Sequence, residues 1–261
     1  MSALFKIDKL YGGYHKLSIL ENLSLEINKG DFLGIIGPNG SGKTTLLRLM
    51  SRVLPLSSGE VYLEGKNICQ LDLKEFCQKV AFVQQDLAIN FPFTVWEIVL
   101  MGRIPHLKRM QFETKKDYLV AQNSLIMTDA FCLKDKSIDE LSSGERQRAI
   151  IAKALAQEPV LLFLDEPTSH LDIRHQIQIL DLLRKLNKKN NLTIVMVLHD
   201  LNLAGEYCNR IVLLNEGKIF KQGSPKEVLT YQNIEDVYKT VVVVKDNPIS
   251  SKPYIILVPG E

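Results

Sequence analysis

Gly37-Pro38-Asn39-Gly40-Ser41-Gly42-Lys43-Thr44 has the residue types and spacing of a phosphate cradle. It matches the pattern G-x-x-x-x-G-K-[ST] at every fixed position. The flanks suit that chemistry. Phe32 to Ile36 read as a short buried strand, and Lys43 to Ser51 as a helix with Leu46, Leu47, Leu49 and Met50 for packing. A strand, a glycine-rich turn and a helix start make an anion site, because backbone N–H groups converge there and the helix dipole adds partial positive charge. Lys43 is placed to reach terminal phosphates, and the Thr44 hydroxyl to hold Mg²⁺.

Two further stretches carry chemistry. Val160 to Leu164 is an apolar run that ends in Asp165 and Glu166. Ligands of open α/β sheets sit beyond the carboxyl ends of strands, so these acids are expected in the same crevice as the phosphate loop. Asp165 suits Mg²⁺, and Glu166 suits a general base for an attacking water. Upstream, Leu141-Ser142-Ser143-Gly144-Glu145-Arg146-Gln147-Arg148 precedes a helix-prone run, Ala149 to Ala156. It is a good N-cap, and also a second small-residue turn at a helix start, able to meet an anion. Two such turns in one chain make sense if the second serves a nucleotide held by another copy.

These residues need a scaffold, and 261 residues are enough for one large domain with a good core. Hydrophobic residues make up 46% and charged residues 24%, as in soluble globular proteins. The net charge of +2, from 32 basic and 30 acidic residues, gives no electrostatic footprint for nucleic acid. Cys69, Cys77, Cys132 and Cys208 form no C-x-x-C pair, which argues against zinc and redox motifs and leaves buried free thiols as the expectation. No signal-peptide pattern opens the chain, and the longest apolar runs are too short for a bilayer, so a cytosolic chain is expected. Residues 4–30 read as antiparallel strands, broken by Gly12-Gly13, and Ser57 to Glu60 as a turn before a strand from Val61 to Leu63. Val80 to Val83 is a core strand. Residues 86–157 read as a mostly helical insertion, with a helix from Val95 to Gly102 bracketed by Pro92 and Pro105. Strand–helix alternation then returns: a strand over 160–164, a helix carrying Ile173, Ile177, Leu180 and Leu183, and a strand over 192–198. A hairpin about Asn215-Glu216-Gly217 and two tail strands around Asn247-Pro248 complete the pattern.

With its motifs in this order, the chain resembles the ATP-binding subunit of ABC transporters over almost its whole length. The phosphate loop, Leu141 to Gln147, the Asp165-Glu166 pair, Ser169-His170-Leu171-Asp172 and His199 carry the resemblance. It implies one ABC ATPase domain over 1–261. The fold is α/β: a P-loop NTPase core over 1–85 and 158–239, with a mixed, mainly parallel sheet and N-terminal antiparallel strands. A helical subdomain over 86–157 and a C-terminal strand extension over 240–261 complete it. It also implies that two copies face each other head to tail, with ATP and Mg²⁺ between them. ATP contacts then fall to Gly37, Pro38, Asn39, Gly40, Ser41, Gly42, Lys43, Thr44, Thr45 and Gln85, with Tyr14 on the adenine; Tyr14 fits the family's spacing better than Tyr11. Gln85 aligns with the family's hinge glutamine, Gln84 being the alternative. Thr44, Gln85 and Asp165 are the implied metal residues. Ser142, Ser143, Gly144 and Glu145 form the signature that meets the other copy's nucleotide, with Ser142 and Gly144 at the γ-phosphate. Asp172 bridges the two sites, and Glu166 and His199 are catalytic, His199 orienting the γ-phosphate and the water. The family usually has Gly where Ser143 stands; a Cβ restricts that turn, which is expected to survive. Glu145 for Gln is a frequent variant.

The segment Phe91 to His106 is similar to one found in importers of iron–siderophores, haem and cobalamin, where a membrane partner's coupling helix docks. Phe91, Phe93 and Trp96 either line that groove or belong to the helical core. The resemblance implies an ATP-hydrolysing importer subunit that energises uptake of an iron chelate (siderophore or haem) or cobalamin. It would work as a homodimer, peripheral on the cytoplasmic face of the membrane, with two permease subunits and indirectly a substrate-binding protein. The alternative is a soluble ATPase of the same superfamily, in iron–sulfur assembly or DNA repair. Balanced charge and the absence of a coiled-coil insertion or zinc ligands count against DNA repair, and the 91–106 segment counts against cluster assembly.

Overall fold

The computed structural model describes residues 3–14, 17–85 and 91–259. They fold as two units, one of residues 1–70 with 193–261 and the other of 71–192. In chain order the first unit opens with β1 (Phe5–Tyr14), β2 (Leu17–Ile27), β3 (Phe32–Ile36), α1 (Lys43–Met50), β4 (Ser58–Leu63) and β5 (Lys66–Asn67). The second holds α2 (Leu73–Lys79), β6 (Val80–Val83), α3 (Val95–Leu100), α4 (Lys115–Met127), α5 (Ser143–Leu155), β7 (Leu161–Asp165) and α6 (Ile173–Asn190). The first resumes with β8 (Thr193–Val197), α7 (Leu201–Tyr207), β9 (Arg210–Asn215), β10 (Lys218–Gly223), α8 (Pro225–Val228), α9 (Tyr231–Tyr238), β11 (Val242–Asp246) and β12 (Pro253–Leu257).

In the first unit, β3 lies between β8 and β9 and runs parallel to both, while β10 pairs antiparallel with β9. Every residue of β3 and β8 is buried, which is why both read as unbroken apolar runs rather than alternations. β2, β1, β4 and β5 form a separate antiparallel sheet. Leu23, Leu25 and Ile27 face its buried side and alternate with exposed polar residues. Gly12 and Gly13 do not end β1, as the sequence suggested, but lie within it at shifts of register. Of the turn expected at 57–60, residues 58–60 are part of β4, where Gly59 comes so close to β1 that a Cβ would stand 2.3 Å from the Lys9 carbonyl. The β9–β10 turn places Glu216 and Gly217 at φ 48° and 75°, the left-handed pair a two-residue hairpin requires.

In the second unit β6 and β7 pair in parallel. Val95, Ile98 and Val99 of α3, Ala121 and Leu125 of α4, and Ala149 and Ala152 of α5 form its helical core. The helix expected to run to Gly102 ends at Leu100 and tightens into a 3-10 helix over Met101–His106, with Pro105 inside rather than beyond it. Contacts at four of its residues hold that turn. Gly102 lies against α5, where a Cβ would meet the Lys153 carbonyl at 2.2 Å. The buried Arg103 bonds Asp117, the Ala156 carbonyl and Glu158. Gln78 donates to the Pro105 carbonyl, and His106 Nε2 lies 2.8 Å from the Gln157 carbonyl. All four cysteines are free thiols, as expected, but only Cys208 is buried; Cys69 and Cys132 are exposed and Cys77 is half-buried.

Candidate functional site

The first unit carries the phosphate loop between β3 and α1. Two neighbours shape it. The Gly217 N–H, at the tip of the β9–β10 hairpin, donates to the Ser41 carbonyl, and the Ser41 N–H donates to the Pro38 carbonyl. Gly37 faces β9 so closely that a Cβ would stand 2.3 Å from the Leu214 carbonyl. Gly40, at φ 79°, would carry a Cβ into open space, so its need for glycine is one of backbone conformation. Lys43 is buried, and its ammonium donates to the carbonyls of Gly37 and Pro38 at 2.8 and 2.9 Å. The charge is thus held inside the loop it serves. Ser41 Oγ is buried and has no hydrogen-bond partner. A buried hydroxyl without a partner costs on the order of 1–3 kcal/mol, so an anion in the loop would satisfy it. Loop, lysine and hydroxyl together fit a phosphate.

Tyr14, at the end of β1, accepts a hydrogen bond from Arg48 of α1 at 2.8 Å. It is therefore tethered to the helix that starts in the loop. His199 is exposed just beyond β8, whose end is tied to that of β3 by the Leu198 N–H to the Ile35 carbonyl at 3.1 Å. The strands preceding His199 and Gly37 thus end side by side.

The second unit carries the acids and the second turn. Asp165 is buried at the end of β7. Glu166 turns the chain out of the strand at φ 49°, a left-handed conformation that costs a non-glycine residue on the order of 1–3 kcal/mol. Ser169 holds it there, donating its N–H and Oγ to the Glu166 carbonyl at 3.2 and 2.6 Å. Gln85 donates to the Glu166 carboxylate at 2.6 Å; Gln84 beside it is exposed. Among the described residues no three or more His, Cys, Asp or Glu converge as a metal cage. What is available is hard oxygen, the kind Mg²⁺ takes in ones and twos alongside substrate phosphates.

The Ser142–Glu145 turn starts α5 as a closed capping box. Ser142 Oγ and N–H both donate to Glu145, at 2.7 and 3.0 Å, and hold its carboxyl below the usual range. Ser143 is the first helical residue and does not have a positive φ, so the Cβ that replaces the family's glycine causes no backbone strain. The steric demand falls one residue later, on Gly144. Asp172 caps α6, accepting from the His175 N–H at 2.8 Å and the His175 ring at 2.9 Å, and these bonds lower its pKa.

The pattern of the ABC transporter family matches residues 20–169, more than half of the chain. The chain belongs to the ABC transporter family. This ABC cassette is 41% identical over 249 residues to the ferric enterobactin transport ATP-binding protein of Escherichia coli (strain K12), covering 95% of this chain and 92% of that one. It superposes with a TM-score of 0.87 on a solved ABC transporter described as of the metal-chelate type, in an inward-facing conformation. That match is 30% identical and covers 99% of this cassette and 98% of the other chain. A dimeric ATP-binding cassette solved in a post-hydrolysis state with ADP and Pi matches at 30% identity and a TM-score of 0.72, over 84% of this chain and 98% of that one. The family and fold expected from the motifs are those found, and the cassette is an ATPase. No described helix is long and apolar enough to cross a membrane.

Sequence reasoning passed over two residues of the cassette. Tyr238, near the end of α9, is largely buried and bonded to the Gly37 backbone; burial pushes its hydroxyl up to about 12 despite that bond. His175 packs against Gly144. Neither belongs to a local motif. Tyr238 is marked by a glycine far away in sequence, and His175 by a distant glycine together with Asp172 three residues before it.

Proposed function

We propose that this cassette is the ATP-hydrolysing subunit of an importer for an iron chelate, acting through a separate membrane permease. The observation that carries the ATPase part is the phosphate loop, with its lysine drawn inside and its unpaired buried Ser41 hydroxyl. The likeness to a ferric enterobactin transport protein and to a metal-chelate type transporter supports the iron-chelate class.

The first unit binds the nucleotide. Backbone N–H groups of residues 37–42 receive the phosphates, Lys43 neutralises their terminal oxygens, Thr44 and Thr45 add hydroxyls, and Tyr14 stacks on the base. Thr44, Asp165 and Gln85 are the proposed residues that would hold Mg²⁺, which would supply positive charge to neutralise the phosphates. In the second unit, Glu166 accepts the proton of the attacking water, and the bond from Gln85 fixes where its carboxylate points. His199 orients the γ-phosphate and that water. Ser142, Ser143, Gly144 and Glu145 meet the nucleotide of a second copy, and Asp172 bridges the two sites. Residues 86–157 act as the helical subdomain that receives the permease. The working form is a homodimer on two permease subunits, peripheral on the cytoplasmic face, fed by a substrate-binding protein.

Deleting the gene and measuring uptake of radio-iron–labelled ferric siderophore tests the proposal. Uptake is expected to fall to background and to return with the parental chain but not with Lys43→Ala. Normal iron-chelate uptake alongside lost cobalamin uptake would reassign the cargo. Loss of neither would favour a soluble role.

A further inference from the structure

We infer that His175 is a positioning residue that locks the signature turn and the Asp172 loop of one copy into a single body. The inference rests on the reading that both face a second copy. His175 lies on the first turn of α6, half-buried, between two groups that the chain separates by 28 residues. On one side its backbone N–H and its ring Nδ1 both reach Asp172 Oδ1, at 2.8 and 2.9 Å. That geometry makes Nδ1–H the donor. On the other side the ring edge lies on Gly144. A Cβ at Gly144 would stand 2.6 Å from His175 Cδ2, 2.8 Å from Cγ and 3.2 Å from Cβ.

Gly144 is buried yet needs no left-handed φ. Its lack of a side chain therefore makes room for this imidazole. The ring cannot swing towards α5 without meeting the Gly144 backbone, and cannot swing away without giving up Asp172. The signature turn is itself stiff, because the Ser142–Glu145 box closes it. The consequence is preorganisation: two loops that must contact a partner together are held together beforehand, so less freedom is lost on association.

The test uses the full chain in a Glu166→Gln background, which keeps ATP unhydrolysed. Affinity for a fluorescent ATP analogue is measured on monomer, and ATP-dependent dimerisation by analytical ultracentrifugation. His175→Ala is expected to leave nucleotide affinity within about twofold while weakening dimerisation about tenfold, what ordering one or two side chains amounts to. His175→Asn, whose amide can donate near the Nδ1 position, should recover much of the loss. His175→Phe, which keeps the ring and loses the donor, should recover less. Parental dimerisation in His175→Ala, or no rescue by Asn, overturns the inference. Ser142→Arg separates the two levels. If it abolishes dimerisation while His175→Ala does not, the positioning role alone fails. If it too has no effect, the reading of the turn as partner-facing fails. If His175→Ala does not fold, the comparison of the Asn and Phe variants decides.

Discussion

Arg103 Nε donates to Asp117 Oδ1 at 2.9 Å, and both side chains are buried. The same guanidinium bonds the Ala156 carbonyl at 2.6 Å and Glu158 at 2.9 Å. One residue of the 3-10 turn thus ties that turn to α4 and to the end of α5. Burial alone would push the Asp117 carboxyl up. Hydrogen bonds from the Thr114 side chain and backbone, then from Arg103, outweigh it and hold the group at about 2.

Removing Arg103 should therefore cost more than its charge. Arg103→Ala leaves Asp117 buried without its cation, and breaking a buried pair in this way typically costs about 3–5 kcal/mol. The expected result is a large fall in unfolding free energy by chemical denaturation. Asp117 sets the sign of the pH dependence. Its folded value lies below its ordinary one of 3.8, so its contribution is complete above about 3.8 and is lost as pH falls through about 2. The penalty of Asp117→Asn should accordingly be the same at pH 7 and pH 5. A penalty that shrinks over that interval would mean the carboxyl titrates higher.

Lys43→Ala should abolish measurable ATP binding and hydrolysis. The ammonium is already directed into the loop by Gly37 and Pro38, so phosphate gains its charge without a search through rotamers. Losing two or more charge-assisted bonds of about 1.5–3 kcal/mol each predicts at least a hundredfold loss of affinity. Unchanged binding in calorimetry would remove Lys43 from the site.

Tyr238→Phe should weaken the protein and its nucleotide site together. It takes away the hydroxyl that the Gly37 backbone bonds, which would leave a buried N–H unsatisfied at a cost on the order of 1–3 kcal/mol. A drop of several degrees in melting temperature is expected, largely restored by saturating ATP, which supplies the loop with partners. A variant with parental melting temperature and ATP affinity would show that the bond contributes nothing.

Local patterns explain which parts of this structure could be read in advance. The phosphate loop and β3, β7 and β8 announced themselves because a glycine pattern and unbroken apolar runs are short-range features. The hairpin at Glu216-Gly217 was visible for the same reason. The segment after Leu100 was misread because Pro105 looked like a helix stop. In the fold, Arg103 anchors that segment to α4 and the end of α5, Gln78 bonds it from α2, and the chain tightens instead of breaking. β4 is three residues longer than the expected strand, because Ser58-Gly59-Glu60 read as a turn while pairing with β1 draws them into the sheet. His175 and Tyr238 could not be singled out, since the contacts that give them a role, His175 on Gly144 and Tyr238 on the Gly37 backbone, join residues 31 or more positions apart with no sequence pattern of their own.

Glu166→Gln should trap an ATP-bound dimer. The parental carboxylate accepts the Gln85 amide at 2.6 Å and sits on a backbone held left-handed by Ser169. Glutamine has the same size and keeps one oxygen as acceptor for Gln85, so neither the fold nor ground-state binding should change. It removes the negative charge and the base. The chemical step should then slow by about 10²–10⁴-fold if proton acceptance is the main contribution. Since intact ATP is proposed to lie between two copies and join them, a variant that keeps it unhydrolysed should run as a dimer with ATP and Mg²⁺ and as a monomer with ADP on size exclusion. Gln85→Ala gives a graded companion. The base would remain but lose its orienting donor, and Mg²⁺ would lose one of its proposed residues, so turnover should fall less than in Glu166→Gln while Mg²⁺-dependent ATP affinity weakens. If Glu166→Gln hydrolyses ATP at the parental rate, the base lies elsewhere, with Asp172 and His199 the next to test.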